Sequence, residues 1–138
     1  MKKMLIFIFL LTPATLMDPN DNRILLVSPV LWHPYATIIQ TVGYVESGQD
    51  NGAINKKEAA RGYFQVRPIR LKDFNQRTGL HFTMEDMHDF NKASIVFMYY
   101  ASDFAPDDYE GISKEWNKSR TEKYWDKVKK QLNYGRTL

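Results

Sequence analysis

Between Val45 and Pro68 the chain reads V-E-S-G-Q-D-N-G-A-I-N-K-K-E-A-A-R-G-Y-F-Q-V-R-P: an apolar helical run closes on one glutamate, then a glycine, a polar turn and a second glycine follow. Upstream, Ile38, Ile39, Val42 and Val45 recur at helical spacing behind Pro34, which suits a first helical turn. A helix is therefore expected from about Pro34 to Ser47. Glu46 falls four residues after Val42, so it projects from the edge of the buried face. A carboxyl placed there sits half in the core and half in a cleft. Burial disfavours its charge and raises its pKa, which is how a glutamate becomes a general acid near neutral pH. Taken alone, Glu-Ser-Gly also fits a solvated glutamate ahead of a glycine cap. Gly43 either admits a neighbouring backbone or is a tolerated weakness of the helix.

Gln49-Asp-Asn-Gly52 is a turn, and the polar segment to Glu58 is a loop, with a small β-hairpin against Tyr63 to Val66. Pro68 opens a helix that carries Leu71 and Phe74 and ends at Gly79. Thr83 caps another, with Phe82 and Met87 spaced as a hydrophobic staple. After Asp89 or Asn91, the positions Ala93, Val96, Phe97, Tyr100 and Phe104 mark a longer helix, stopped before Pro106. A short helix around Ile112 to Trp116 and one from about Thr121 to Leu132, with Trp125, Val128 and Leu132 inward, complete the pattern. The apolar run from Asn22 to Leu31 fits a strand or the lead-in to a helix. No repeat or low-complexity segment interrupts it. The expected fold class is mainly α, with at most a small β-hairpin.

A length of 138 residues with 43% hydrophobic content suits a single domain with its own core. Met1-Lys2-Lys3 followed by Met4-Leu-Ile-Phe-Ile-Phe-Leu-Leu11 has the charged start and short apolar run of an export signal, too short to span a bilayer comfortably. Residues 1–17 are thus expected to be a signal peptide, or a retained anchor since no clean cleavage site follows, and 18–138 the domain. The absence of cysteine excludes a disulfide framework, a thiol nucleophile and a lipoprotein anchor. Export without disulfides fits the periplasm or bacterial cell envelope. Of the 19 basic residues, Lys2 and Lys3 lie in the signal, which leaves 17 against 16 acidic ones. The basic balance is then no argument for nucleic acid, and none is expected as a partner.

His33, His81 and His88 lack metal-ligand spacing, and Glu85, Asp86, His88 and Asp89 read as the polar face of a short helix. No metal and no cofactor are expected. Lys127, Lys129 and Lys130 read as a solvated helix face. Ser/His/Asp and phosphate-loop patterns are absent.

Glu46-Ser47-Gly48, Ala53, Ala60-Arg61-Gly62-Tyr63-Phe64-Gln65-Val66 and Pro68 together resemble the signature of the lytic transglycosylase family of the lysozyme-like superfamily. That signature runs Glu-Ser-Gly, a polar loop, an alanine, a small residue and Gly-Leu-Met-Gln-Ile ahead of a proline. Trp116-Asn117 stands where the family has Tyr-Asn-Ala-Gly, and Tyr124-Trp-Asp-Lys-Val128 is similar to its Tyr-Val-x-x-Val. The resemblance runs from about Ile38 to Val128. It implies a lysozyme-like single domain that cleaves peptidoglycan between N-acetylmuramic acid and N-acetylglucosamine, leaving 1,6-anhydro ends, with Glu46 as the one catalytic residue.

The resemblance also carries substrate binding to Asn117 and brings the Tyr124 hydroxyl close to Glu46. Gln65 is a substrate ligand on the same ground, and its amide can donate to and accept from sugar hydroxyls and acetamido groups. Ser47 joins them, though it equally fits a polar residue at a helix end. Tyr63 and Phe64 read as core and groove-wall residues. The chain departs from the family at Lys118-Ser119-Arg120, at Tyr63-Phe64 and at Val66. The expected partners are peptidoglycan glycan strands, with envelope or secretion machinery as a further class, and the expected state is a monomer. Two alternatives stand beside the transglycosylase. One is a hydrolytic lysozyme using Asp50 or Glu58 as second carboxylate. The other is a catalytically silent glycan-binding or secretion-accessory protein of the same fold.

Overall fold

Local signals set the helix ends in the computed structural model, which describes residues 33–118 and 121–135. Residues 1–17, expected to be a signal peptide, and the Asn22 to Leu31 run lie outside the described residues. Helix α1 spans Ala36–Ser47 and buries Ile38, Ile39 and Val42. It starts two residues later than the proline suggested, because Ala36 N–H bonds to His33 C=O at 2.8 Å and holds Pro34 and Tyr35 in a turn. At its other end Gly48 takes the left-handed conformation at φ 67°, and its N–H reaches Tyr44 C=O at 2.9 Å. Gln49 is left-handed too, so the chain folds sharply back over the helix end.

Strands β1 (Ile54–Asn55) and β2 (Ala60–Arg61) pair antiparallel, and Arg61 also bridges to Val66. The hairpin thus closes within the polar loop rather than between that loop and Tyr63 to Val66. Tyr63 and Phe64 fall instead in a tight turn, which Gly62 at φ 75° makes possible. A β-carbon on Gly62 would lie 1.8 Å from the Met87 carbonyl oxygen, so this turn rests directly on the backbone of the segment after α2.

Helix α2, Pro68–Thr78, has proline in its first turn and Gly79 at φ 74° as its stop. The turn after it holds a 3-10 helix, Glu85–His88, in place of the α-helix expected from Thr83. The capping chemistry forms, since Thr83 N–H donates to Asp86 Oδ2 at 2.8 Å and Asp86 N–H to Thr83 Oγ1 at 3.3 Å. Only one turn follows because Asp89, extended at φ −85° and ψ 119°, caps the next helix through Lys92 N–H. That helix, α3, is Phe90–Ala101; α4 is Tyr109–Trp116 and α5 is Thr121–Gly135. Five helices and one two-stranded sheet make the described residues mainly α.

The core gathers around Phe64, which is fully buried and stacks on Phe97 with ring centroids 4.7 Å apart. Phe97 in turn meets the edge of Trp116 at 5.1 Å. Helix α1 packs on α5, α5 on α4 and α4 on α3, so the ends of α1, α4 and α5 come together above this aromatic stack. Gly43 lets the turn that carries Tyr63 pack against α1. A β-carbon there would stand 1.7 Å from Cε1 of Tyr63, so the glycine of α1 serves close approach. Among the described residues no helix is long and apolar enough to cross a membrane.

Candidate active site

A groove of about 320 Å³ opens where the C-terminal turn of α1 meets the hairpin, the start of α2 and the facing ends of α4 and α5. Glu46 lies in its wall on α1, one residue before the turn that Ser47 and Gly48 impose. The carboxyl is mostly removed from water, and that burial pushes its pKa up to about 7. Glu58, across the groove, adds to the rise. Three groups on other elements work against it: the Tyr124 phenol, the Arg67 guanidinium and the Trp116 indole all favour the carboxylate. Desolvation wins because none of them forms a close ion pair with it. Glu46 is therefore divided between acid and base forms near neutral pH.

Tyr124 stands on the buried side of α5 with its hydroxyl against this carboxyl. The pair interacts electrostatically but falls short of ordinary hydrogen-bond geometry, and the hydroxyl has no other hydrogen-bond partner among the described residues. Burial, together with the Glu46 charge, pushes the phenol's pKa far above its usual value, so it remains a neutral donor. Trp116 is fixed from behind by Arg70. That guanidinium donates to the carbonyls of Glu115 and Trp116 at 3.0 Å and lies over the Trp116 ring at 4.8 Å. It thus satisfies the last carbonyls of α4 and holds the indole beside Glu46.

Glu46, Gln65, Asn117 and Tyr124, separated by up to 78 residues in the chain, all line the groove. Gln65 has φ 49°, and its amide nitrogen donates to Gly62 C=O at 3.0 Å and Ala53 C=O at 3.3 Å. The amide is partly committed to holding the hairpin, and its carbonyl oxygen is what remains for a ligand. Asn117 ends α4 at φ −118° and faces the same space.

Ser47 is placed apart from the groove lining. Its hydroxyl donates to Tyr63 C=O at 2.8 Å and accepts from Asp50 N–H at 3.0 Å, tying the helix end to the turn that holds Phe64. Tyr63 and Phe64 are buried in the core. Asp50 is turned into its own loop, where its carboxylate accepts from Gly52 N–H at 2.7 Å. Of the two candidate second carboxylates, Glu58 alone reaches the groove.

Sequence reasoning passed over Arg67, Lys123 and Lys127, which also line it. Lys127 is exposed, as a solvated face requires, yet it forms part of the groove rim. A signal was available: Lys123 and Lys127 are four residues apart and flank Tyr124, so any helix that aims Tyr124 at Glu46 brings both lysines alongside. Arg67 carries no such local mark. Among the described residues no cluster of three or more His, Asp or Glu converges on a metal position. A second groove of about 410 Å³, along Thr37, Gln40 and Tyr44 of α1 and Gln131 of α5, has no carboxyl in its walls. Comparison of the chain with models of known families, with curated proteins and with solved structures finds no match.

Proposed function

We propose that this chain is an exported, lysozyme-like enzyme that cleaves the glycan strand of peptidoglycan between N-acetylmuramic acid and N-acetylglucosamine, as a lytic transglycosylase. The observation that carries this reading is a glutamate in an open groove with its pKa raised to about 7 by burial. Neutral Glu46 donates its proton to the glycosidic oxygen as the bond to the muramoyl anomeric carbon breaks. The resulting carboxylate then takes the proton from the 6-hydroxyl of the same muramoyl residue, whose oxygen bonds to that carbon and closes the 1,6-anhydro ring. The proton returns to Glu46 and no water is consumed. The Tyr124 hydroxyl favours the carboxylate while it exists, and Gln65 and Asn117 offer amides to sugar hydroxyls and acetamido groups.

One observation favours a hydrolytic variant of the same site. Glu58 lines the groove, is exposed, and is close enough to act on the Glu46 charge. A second carboxylate in that place could activate a water. Mass spectrometry of muropeptides released from purified peptidoglycan separates the two. The transglycosylase releases 1,6-anhydro ends, lighter by one water than the reducing ends that hydrolysis leaves. Reducing ends throughout, lost in Glu58→Gln, would replace the transglycosylase by the hydrolase. Absence of any cleavage by folded protein would leave a binding protein.

A further inference from the structure

The groove holds more positive charge than acid chemistry on a neutral sugar needs. Four basic side chains line it, Arg67, Arg70, Lys123 and Lys127, against the two carboxyls of Glu46 and Glu58. Arg70 is consumed by the carbonyls at the end of α4 and by the rings of Tyr100 and Trp116. The other three form no salt bridge with any described residue, as is also true of Lys56, Lys57, Lys72, Lys129 and Lys130 outside the groove. Arg61 is paired with Glu85, Arg77 with Asp73, Lys92 with Asp86, Lys114 with Glu110 and Glu122, and Lys118 with Glu115.

Three cations around one groove, none in a salt bridge with a described residue, favour an anionic ligand, because a concave wall concentrates the field that separate surface lysines would lose to solvent. Their placement is also directional. Lys123 and Lys127 are four residues apart on α5, exposed on either side of buried Tyr124, and Arg67 approaches from the start of α2. The reacting bond would lie at Glu46, and these three charges line the same groove.

We propose that Arg67, Lys123 and Lys127 read carboxylates carried beside the scissile bond, and that the groove takes glycan strands bearing acidic stem peptides in preference to uncharged ones. This selectivity rests on the reading of the groove as a glycan-cleaving site, and it adds to that reading which strands are cleaved.

The test uses soluble glycan strands with intact stem peptides beside the same strands whose carboxyls have been converted to amides by carbodiimide coupling to ammonia. Cleavage by the wild-type protein is measured on both, and binding of both is measured with Glu46→Gln, which cannot turn them over. The unmodified strands should be favoured roughly tenfold in kcat/KM and in affinity, about 1.4 kcal/mol shared among three partly screened pairs. The preference should shrink as ionic strength rises. Lys123→Gln with Lys127→Gln should narrow the preference to roughly twofold, since one of three cations remains. Lys129→Gln with Lys130→Gln, on the same helix but outside the groove, should leave it unchanged. Equal cleavage and equal binding of the two strands by the wild type would overturn the selectivity while leaving glycan cleavage intact. A charge-dependent preference in binding, with neither strand cleaved, would support the selectivity and remove the catalytic function.

Discussion

Replacing Glu46 by glutamine keeps the size of the side chain and removes its transferable proton, and the structure gives this swap an effect on stability as well as on turnover. A glutamate with an ordinary pKa of 4.5 when unfolded and about 7 when folded holds its proton more tightly in the folded state. Between those values the unfolded chain binds fewer protons, so stability falls as pH rises from about 4.5 through about 7. Above that window the cost is constant, on the order of 3 kcal/mol, from about 1.4 kcal/mol per pKa unit. Glutamine carries no charge and escapes this cost.

Glu46→Gln should thus abolish glycan cleavage at every pH while stabilising the fold at pH 8 by up to roughly 3 kcal/mol, or on the order of 10 °C in Tm for a domain of this size. At pH 4, where both states of the wild type are mostly protonated, the two proteins should melt nearly together. Thermal and urea unfolding across pH 4 to 8 measures this directly, and the difference between the curves should grow with pH. A variant that is equally or less stable at pH 8, or that is shifted by the same amount at both ends, would refute a buried, desolvated carboxyl at position 46. Persistent cleavage would remove Glu46 from the mechanism.

Tyr124→Phe deletes a buried hydroxyl that favours the Glu46 carboxylate; the pKa of Glu46 should rise, so the alkaline limb of the pH–rate profile should move upward. The Tm should hold, since no completed hydrogen bond is lost, and an unmoved limb would show the phenol to be idle. Gln65→Ala removes both a groove amide and the two donations that hold the hairpin, so KM should rise and urea unfolding should show a loss of about 1–2 kcal/mol. A rise in KM with unchanged stability would mean that the hairpin does not depend on it. Gly43→Ala forces a β-carbon to 1.7 Å from the Tyr63 ring and should cost about 3 kcal/mol or more. Wild-type stability in that variant would contradict the close packing of α1 on this turn.

Much of the helical frame was legible because its signals are local. Gly48 and Gly79 end helices in the left-handed conformation, Asp89 caps α3, and most of the periodic apolar residues of α1, α2 and α3 are buried, with Met98, Tyr99 and Ala101 buried beside them. Where reading failed, a competing contact had overruled the first local preference. Thr83 forms its cap, yet the helix it announces lasts one turn, because Asp89 takes over as cap of the next element. The hairpin closes earlier than expected because Gly62 sits against the Met87 carbonyl and turns Tyr63 and Phe64 into the core.

By itself the sequence determined a mainly helical chain with a single glutamate set at the edge of a buried helical face, since helix periodicity and glycine caps act within a few residues. Tertiary structure alone decided what that glutamate experiences. Its desolvation comes from its place in a groove walled by residues of the hairpin, α2, α4 and α5, and its opposing influences come from Arg67, Trp116 and Tyr124, which lie 21 to 78 residues away in the chain. The same packing sorted residues whose local contexts look alike, sending Ser47 and Asp50 into structural hydrogen bonds and Glu58, Lys123 and Lys127 to the groove. Burial and field depend on which surfaces meet, and no stretch of sequence contains both partners of such a meeting.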